Sequence, residues 1–286
     1  SKKLFLSQLK LLKKKLLFQT IEKNDLIRIR LKKKIYFLDV HYNFKKAFDK
    51  ISAKSRRYID ECFSQCFNIL YSKNCNFIIN GPVSKKHFLK KKYPGVTEYI
   101  FDKSKKKLSY RPVMLLYNKT LSVSPITTHI PLKKVSKNIN KKIIINNAST
   151  IDNFYRKYLK RKPKIAILGL NPHCETNSMF NEDDKIIKPT VKTLKEKNIN
   201  ITGPFPSDTF FLKKNIEKYD CVIGMYHDQV LTPFKTLFGF DASNITLGLP
   251  FLRLSVDHGP NERMMGKNIS NTKSLENIIK FVNLTK

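Results

Sequence analysis

The chain has 286 residues, long enough to bury one large or two modest hydrophobic cores without disulfides. Hydrophobic residues make up 41% of it, and this composition excludes an intrinsically disordered protein. The formal net charge of +34 would favour a polyanionic partner. Its lysines, however, are scattered through every segment and are not gathered in an Arg-rich stripe with aromatic residues, so a solvated surface is favoured over nucleic-acid binding.

The predicted elements alternate between helices and strands. Residues 55–72 have helical periodicity and lead into a short buried strand at 76–80. Residues 113–117 and 120–124 flank Asn118-Lys119, a pattern typical of a β-hairpin. Further helices are predicted at 151–161, 187–197 and 210–218, and further strands at 164–170 and 221–225. This alternation predicts layers of the α/β class.

Cysteine usage predicts a reducing compartment. The five cysteines are odd in number, and only Cys62 and Cys66 are close, at a spacing that places both on one helix face. No apolar stretch reaches the roughly 18 residues that a membrane span needs, and the basic amino terminus lacks the apolar core of a signal peptide. We therefore expect a cytoplasmic protein.

Three histidines, His129, His173 and His227, follow or border apolar runs that are predicted strands. Ligands of α/β sheets bind beyond the carboxyl ends of the strands, where His173 and His227 fall. Three neutral imidazoles with an open fourth position are typical of a catalytic metal site, so an enzyme is the first hypothesis. Their long separations prove nothing alone, and a single histidine beside a buried strand is more often a core residue; both interpretations stay open.

Eight short motifs follow one another along the chain. They are GPVSK (81–85), PGVTE (94–98), TTHIPL (127–132), GLNPH (169–173), GPFPSDT (203–209), MYHDQ (225–229), NITLGLP (244–250) and RLSVDHG (253–259). With these motifs, the chain from about Asn80 to its end resembles the 4-hydroxythreonine-4-phosphate dehydrogenase family of pyridoxal phosphate biosynthesis. Each motif is weak alone, but eight in the family's order are specific.

The resemblance implies an isocitrate/isopropylmalate-dehydrogenase-like fold of two α/β/α domains with a cleft between them. We expect residues 1–98 with 248–286 in a first, discontinuous domain, and 99–247 in a second that carries the metal ligands and the dimer interface. The strand followed by Gly-(Asp/Glu)-Pro-x-Gly-(Ile/Val)-x-Pro-Glu, with which the family normally opens, has no match before Gly81. That turn usually lies near the active cleft.

The activity implied is NAD-dependent oxidation of 4-phosphohydroxy-L-threonine to 2-amino-3-oxo-4-phosphooxybutanoate, which decarboxylates to 3-amino-2-oxopropyl phosphate. The family uses one divalent cation per site, with Zn, Mg, Co and Mn as the candidates; three imidazoles suit Zn, Co, Mn or others, and the sequence does not distinguish them. The resemblance also implies a homodimer in which one histidine of each metal site comes from the neighbouring subunit. A relative that oxidises 4-phospho-threonate or 4-phospho-erythronate is the alternative, because Val96 stands where the family usually has a histidine. A non-catalytic polyanion-binding protein is the alternative of another class.

By resemblance, His129, His173 and His227 are the metal ligands. The substrate residues implied are Thr97, Lys235, Asn244 and Arg253. Lys235 and Arg253 would supply fixed cations for phosphate, against the alternative that they are ordinary surface cations. Asp228 and Asp208, with Lys235, are the candidate catalytic residues. Helix capping is an equal alternative for Asp208.

No Gly-x-Gly-x-x-Gly fingerprint occurs in the chain, so a Rossmann cofactor site is not indicated. Instead, residues 258–271 are similar to the adenine-binding loop of β-decarboxylating dehydrogenases. That similarity makes His258, Gly259, Gly266 and Asn271 the candidate cofactor residues, for NAD or, alternatively, NADP. Arg263 occupies the place of the loop's usual Asp.

Overall fold

The computed structural model of the chain describes residues 1–23, 25, 34–72, 75–90, 92–104, 111–175, 179 and 181–285. The chain divides into two compact units. The first consists of Ser1–Ser104 with Gly259–Thr272, and the second of Lys105–His258 with Lys273–Lys286. Among the described residues, no helix combines the length and the apolar character that crossing a bilayer requires.

The first unit is built mainly from helices around an aromatic core. Its helices are α1 (Lys2–Leu11), α2 (Arg56–Tyr71), α3 (Lys85–Leu89) and α4 (Val96–Lys103), and its strands are β1 (Gln19–Ile21), β2 (Tyr36–Leu38) and β3 (Phe77–Asn80). Strands β1 and β2 pair in parallel. The rings of Phe63, Phe88 and Tyr99, from α2, α3 and α4, lie 4.9 to 5.9 Å apart and join these helices. The helix and strand predicted at 55–72 and 76–80 are confirmed.

The second unit is a mixed sheet covered by helices. Its strands are β4 (Val113–Tyr117), β5 (Ser122–Thr127), β6 (Ile165–Leu168), β7 (Ile201–Phe205), β8 (Cys221–Tyr226), β9 (Ser243–Leu247) and β10 (Leu252–Ser255). Its helices are α5 (Val135–Asn138), α6 (Lys141–Leu159), α7 (Lys188–Glu196), α8 (Ser207–Phe210), α9 (Lys213–Ile216), α10 (His227–Phe238) and α11 (Lys273–Leu284). The strands lie in the order β10-β9-β4-β5-β8-β6-β7. The predicted α/β class is confirmed.

The centre of this sheet is parallel. Strand β8 pairs in parallel with both β5 and β6, and β6 pairs in parallel with β7. Strands β6 and β8 are buried and apolar, as expected for strands covered on both sheet faces. The carboxyl ends of β5, β6 and β8 therefore share one edge, and this edge leads directly into the segments that carry His129, His173 and His227. Strands β4 and β10 run the other way, each antiparallel to β9.

Two helix predictions need correction. Helix α6 begins ten residues before the predicted start at 151, because the Asn140 side chain caps it by accepting a hydrogen bond from the Ile143 amide at 3.0 Å. The helix predicted at 210–218 is wrong. The structure has the short helices α8 and α9 instead, separated at Leu212, whose backbone is extended (φ −62°, ψ 137°).

The compact units also differ from the expected domain boundaries. Strand β10 and helix α11, expected in the first domain, belong to the second unit. Strand β10 is hydrogen-bonded to β9, and Phe281 of α11 packs against Tyr117 of β4 at a ring distance of 5.2 Å. These contacts tie both elements to the central sheet.

Candidate metal and substrate site

His129 and His227 lie side by side at the carboxyl edge of the central sheet. Their ring centroids are 5.8 Å apart, with the ring planes inclined by 42°. His129 is exposed, and the His227 side chain is 34% exposed. His173 is exposed as well. The interpretation of these histidines as core residues is therefore wrong, and their imidazoles are accessible to a ligand.

The His227 ring is held by its neighbour Asp228. The ring atom Nδ1 lies 2.6 Å from Asp228 Oδ1, and in the neutral ring that donates from Nδ1 to this carboxylate, Nε2 presents a lone pair. Metal-binding imidazoles characteristically have their second nitrogen bonded to a carboxylate or carbonyl in this way. The His227 ring and its Asp228 contact are thus of the kind found at divalent-cation sites.

His173 lies on the loop that follows β6. Its backbone is left-handed at φ 56°, as is that of Cys174 at φ 61°, a conformation that is uncommon for a residue with a Cβ. Within the part of the chain that the structure describes, no three His, Cys, Asp or Glu side chains form a group suited to a metal ion. A single chain therefore brings together His129 and His227 but not all three predicted ligands.

Three hydrogen bonds tie together the strand ends that carry these histidines. The Thr127 hydroxyl, at the end of β5, donates to the Met225 carbonyl of β8 at 2.7 Å. The Gln229 side chain accepts from the Met225 amide at 2.6 Å and donates to the Gly169 carbonyl, just after β6, at 2.7 Å. Gln229 is 7% exposed. Gln229 of the MYHDQ motif therefore links the end of β8 to the end of β6 through hydrogen bonds.

Asp183 binds the loop after β6. Its carboxylate, fully buried at 0% exposure, accepts hydrogen bonds from the Leu170 amide (2.9 Å), the Asn171 amide (3.0 Å) and the Asn171 side chain (2.9 Å). A buried carboxylate is tolerated only where such donors satisfy it. No motif marks Asp183 in the sequence, because it lies 10 residues beyond His173 in a stretch without a recognised pattern.

Gly169 permits the close approach of this carboxylate. A Cβ at that position would lie 2.6 Å from Asp183 Oδ1 and 2.7 Å from the Cys174 sulfur, both shorter than real Cβ contacts. The loop that carries His173 is therefore packed against the end of β6 without room for a side chain.

Asn244 and Arg253 lie on the sheet face against which helix α10 packs. Asn244 of β9 lies opposite Leu116 of β4, and Thr246 of β9 lies opposite Arg253 of β10. Directly opposed residues share a sheet face, and so do alternate residues of one strand such as Asn244 and Thr246. Leu116 packs in the cluster that contains Phe234 of α10. Arg253 is 5% exposed and donates to the Thr246 hydroxyl at 3.2 Å. It is a buried cation, which contradicts the surface-cation alternative.

Lys235 of helix α10 is half-buried and forms an ion pair with the Asp257 carboxylate, which is 7% exposed. Its ammonium also lies 5.2 Å from the centre of the Phe240 ring. Burial lowers the pKa of Lys235 below the usual value for lysine. The predicted phosphate-binding lysine therefore has an acidic neighbour, Asp257, that sequence reasoning did not single out.

Comparison with known proteins decides the family. The model of the family described as pyridoxal phosphate biosynthetic protein PdxA matches residues 1–282. The chain belongs to the PdxA family.

Two relatives and one solved structure illustrate the match. The 4-hydroxythreonine-4-phosphate dehydrogenase of Sulfurihydrogenibium sp. (strain YO3AOP1) is 43% identical over 218 residues, 75% of this chain and 66% of that protein. The D-threonate 4-phosphate dehydrogenase of Pectobacterium atrosepticum is 35% identical over 201 residues, 69% of this chain and 61% of that protein. The chain thus spans less than two thirds of both. The crystal structure of the Klebsiella pneumoniae 4-hydroxythreonine-4-phosphate dehydrogenase is 27% identical, with a TM-score of 0.79, and the match covers 98% of this chain and 86% of that one.

The predicted acid Asp208 lies in the first turn of α8 and is exposed. Its carboxylate accepts a hydrogen bond from the Thr209 amide at 2.9 Å. The residue that precedes the helix is Pro206, so Asp208 is not the N-cap residue itself. Its local bond is nevertheless of the kind that stabilises a helix start.

Thr97, a predicted substrate residue of this PdxA family member, lies in the first turn of α4 and is half-buried. Its neighbour Val96, which replaces the family's usual histidine, is 8% exposed. The valine side chain is thus part of the core of the first unit.

The first unit also contains a cavity of about 440 Å³. Its lining includes Lys45, Lys50 and Lys54, and also Pro260 and Met265 from the predicted cofactor loop. Volumes of this size are typical of pockets for small molecules and cofactors.

The four predicted cofactor residues are divided between the units. His258 is the last residue of the first segment of the second unit, and its ring lies 6.3 Å from that of Phe240. Gly259, Gly266 and Asn271 belong to the first unit. Gly266 adopts φ +73°, and a Cβ there would lie 3.2 Å from the Phe48 ring, so a glycine is required at this turn.

Proposed function

We propose that the chain acts as an NAD-dependent dehydrogenase of 4-phosphohydroxy-L-threonine in pyridoxal phosphate biosynthesis. The product is 2-amino-3-oxo-4-phosphooxybutanoate, which loses CO₂ to give 3-amino-2-oxopropyl phosphate. The observation that carries the proposal is the exposed pair His129 and His227, 5.8 Å apart, with Asp228 on the His227 ring. The names of its PdxA relatives support the substrate.

His129, His173 and His227 are the proposed ligands of a divalent cation such as Zn, Mg, Co or Mn. Such a cation, when bound, lowers the pKa of a coordinated alcohol and stabilises negative charge on oxygen. The chain's own part is orientation. Asp228 holds the His227 ring with Nε2 free to bind, and the hydrogen bonds of Thr127 and Gln229 hold the strand ends in register.

Lys235, Asn244 and Arg253 are proposed to bind the phosphorylated end of the substrate. Asn244 and Arg253 share the sheet face on which helix α10 packs, and Lys235 belongs to that helix. The guanidinium of Arg253 can donate two parallel hydrogen bonds to phosphate, while Lys235 supplies a point charge. Asp257 holds Lys235 before substrate arrives. Asp208 and Asp228 remain the candidates for proton transfer, and Thr97 for a further substrate contact.

NAD, or alternatively NADP, is the proposed hydride acceptor. The support is the cavity of the first unit, because Pro260 and Met265 of the 258–271 loop line it. His258, Gly259, Gly266 and Asn271 would contact the cofactor from the same loop. The lysines that line the cavity would supply cations for the cofactor's pyrophosphate.

The proposed assembly is a homodimer with a shared metal site, located in the cytoplasm. One chain does not group the three imidazoles among its described residues, so a third ligand from a neighbouring subunit would complete the site. The test mixes inactive His173→Ala and His227→Ala subunits. A shared site predicts that activity returns in mixed dimers, since one site then receives only wild-type ligands. Mixtures that remain inactive would contradict the shared site.

The decisive experiment measures NADH formation from 4-phosphohydroxy-L-threonine with and without a chelator. We expect chelation and His173→Ala each to abolish activity. The exposed His41 serves as control, because its ring contacts only the local Asn43 side chain among the bonds described and His41→Ala should leave activity unchanged. Full activity with chelator would refute the metal mechanism. Steeply salt-dependent DNA binding without NADH production would favour the polyanion-binding alternative.

A second candidate substrate is D-threonate 4-phosphate or 4-phospho-erythronate. Val96 favours it, because an imidazole that the family usually places beside Thr97 is replaced by a buried aliphatic side chain. The Pectobacterium relative is named for D-threonate 4-phosphate. Steady-state assays with both substrates separate the candidates. A higher kcat/KM for the hydroxy acid would overturn the assignment to the amino acid.

A further inference from the structure

We propose that Asp183 and Gln229 are positioning residues that hold the histidine-bearing loops at the spacing that metal binding requires. The inference rests on the proposed metal function and deepens it. Neither residue is a metal ligand or a substrate contact in the proposed site. Both act through hydrogen bonds to the segments that carry His173 and His227.

Gln229 joins the β8 end to the β6 end. Its side-chain oxygen accepts from the Met225 amide, two residues before His227, and its side-chain nitrogen donates to the Gly169 carbonyl, four residues before His173. One buried amide therefore sets the separation of the two strand ends. Gly224 makes room for this side chain, since a Cβ there would lie 3.0 Å from the Gln229 oxygen.

Asp183 fixes the direction of the chain after β6. Its two carboxylate oxygens accept from consecutive main-chain amides, Leu170 and Asn171, immediately before Pro172 and His173. The Asn171 side chain adds a third bond to the same carboxylate. Among the described residues no strand pairs with these two amides, and Asp183 supplies their acceptors.

The backbone at His173 explains why such restraint is needed. His173 and Cys174 both have positive φ, two consecutive residues in a conformation that is uncommon for side chains with a Cβ. Without Asp183 the loop could relax to an ordinary conformation, and the His173 imidazole would leave its place. The effect on metal binding would then exceed the effect on overall folding.

The test measures Co²⁺ binding by calorimetry and by the visible absorption of the bound ion. The variants are Asp183→Asn, in which one acceptor becomes a donor facing an N–H, and Gln229→Met, which has a similar volume and no hydrogen-bonding amide. Gln229→Glu keeps the acceptor for the Met225 amide and should give an intermediate affinity. Each of the first two should bind Co²⁺ about 10- to 100-fold more weakly, the usual loss on removing a group that orients metal ligands.

The matched control is Asp184→Asn. Asp184 is adjacent to Asp183, but its side chain is 51% exposed and pairs with Lys188 on the surface, so Co²⁺ affinity should not change. Circular dichroism identifies the variants that fold. If Asp183→Asn does not fold, Gln229→Met and Gln229→Glu still test the inference. Folded variants with wild-type Co²⁺ affinity would overturn the positioning role. If His227→Ala also bound Co²⁺ like the wild type, the metal function itself would fail, which is a different result.

Discussion

Gly169→Ala is a sharp test of how tightly the histidine loop packs on the sheet. The added Cβ would lie 2.6 Å from Asp183 Oδ1, 2.7 Å from Cys174 Sγ and 3.1 Å from Cys174 Cβ. None of these atoms is the free end of a long side chain. The Asp183 carboxylate is held by hydrogen bonds from two main-chain amides, and Cys174 is buried at 5% exposure. The loop must therefore move away from β6 to make room for the added Cβ.

The expected cost follows from this geometry. Forcing one extra carbon into a packed region costs about 1–3 kcal/mol in the free energy of unfolding. For a unit of this size each kcal/mol lowers Tm by about 2–4 °C, so a fall of roughly 2–12 °C is expected. The movement displaces His173 as well. Metal affinity should therefore fall together with Tm.

Differential scanning calorimetry and a metal titration measure the two effects. Gly81→Ala is the control, because a Cβ at Gly81 has no atom within 4 Å and Gly81 is exposed. Its Tm should match that of the wild type within about 1 °C, as for surface substitutions in general. A Gly169→Ala protein with the Tm and metal affinity of the control would refute the packing argument.

Two further predictions concern helix α6 and Lys235, the lysine proposed to bind phosphate. Asn140→Ala removes the side-chain acceptor for the Ile143 amide and should lower the free energy of unfolding by about 1 kcal/mol, measured by urea denaturation; Asn140→Ser, which restores a capping oxygen, should recover most of it. Burial lowers the pKa of Lys235, so as the pH rises this ammonium loses its proton before the pH reaches 10.5, the usual pKa of lysine. The KM for the phosphorylated substrate should rise with pH in this alkaline window, and Lys235→Arg, which stays charged, should remove that rise. In the same window the unfolded chain binds more protons at Lys235, so this residue's contribution to the free energy of unfolding increases with pH. A KM that is flat with pH in the wild type would contradict the prediction.

Periodicity and composition were sufficient for the strands at the centre of the second unit. The buried runs that became β6 and β8 are continuous and apolar, and the predicted hairpin around Asn118-Lys119 forms between β4 and β5. Its loop is longer than the two predicted turn residues, because Leu116 pairs with Val123 and β5 begins at Ser122. The first half of α6 was missed because its sequence, KKIIINNAST, contains Asn, Ser and Thr, which are weak helix formers. Tertiary contacts stabilise it instead. Buried Asn147, for example, donates to the Ser124 hydroxyl at 3.2 Å.

The site was predictable where chemistry lies within a motif. His227 and Asp228 are adjacent in sequence, so their contact could be expected, and the place of both at the end of β8 followed from the strand prediction. Asp183 and Asp257 could not be found in this way. Each contacts a partner 12 to 22 residues distant along the chain, and only the folded loops bring them together.

Arg253 shows one consequence of building a ligand-binding group into a strand. A long surface cation loses rotational freedom when it closes on an anion, and this loss opposes binding. In the proposed site the Arg253 side chain is already buried in the sheet and bonded to Thr246, so that freedom has been given up during folding. Phosphate would then bind a guanidinium that is already held in one orientation. The affinity for phosphate at this position would depend on the rigidity of β10 as much as on charge.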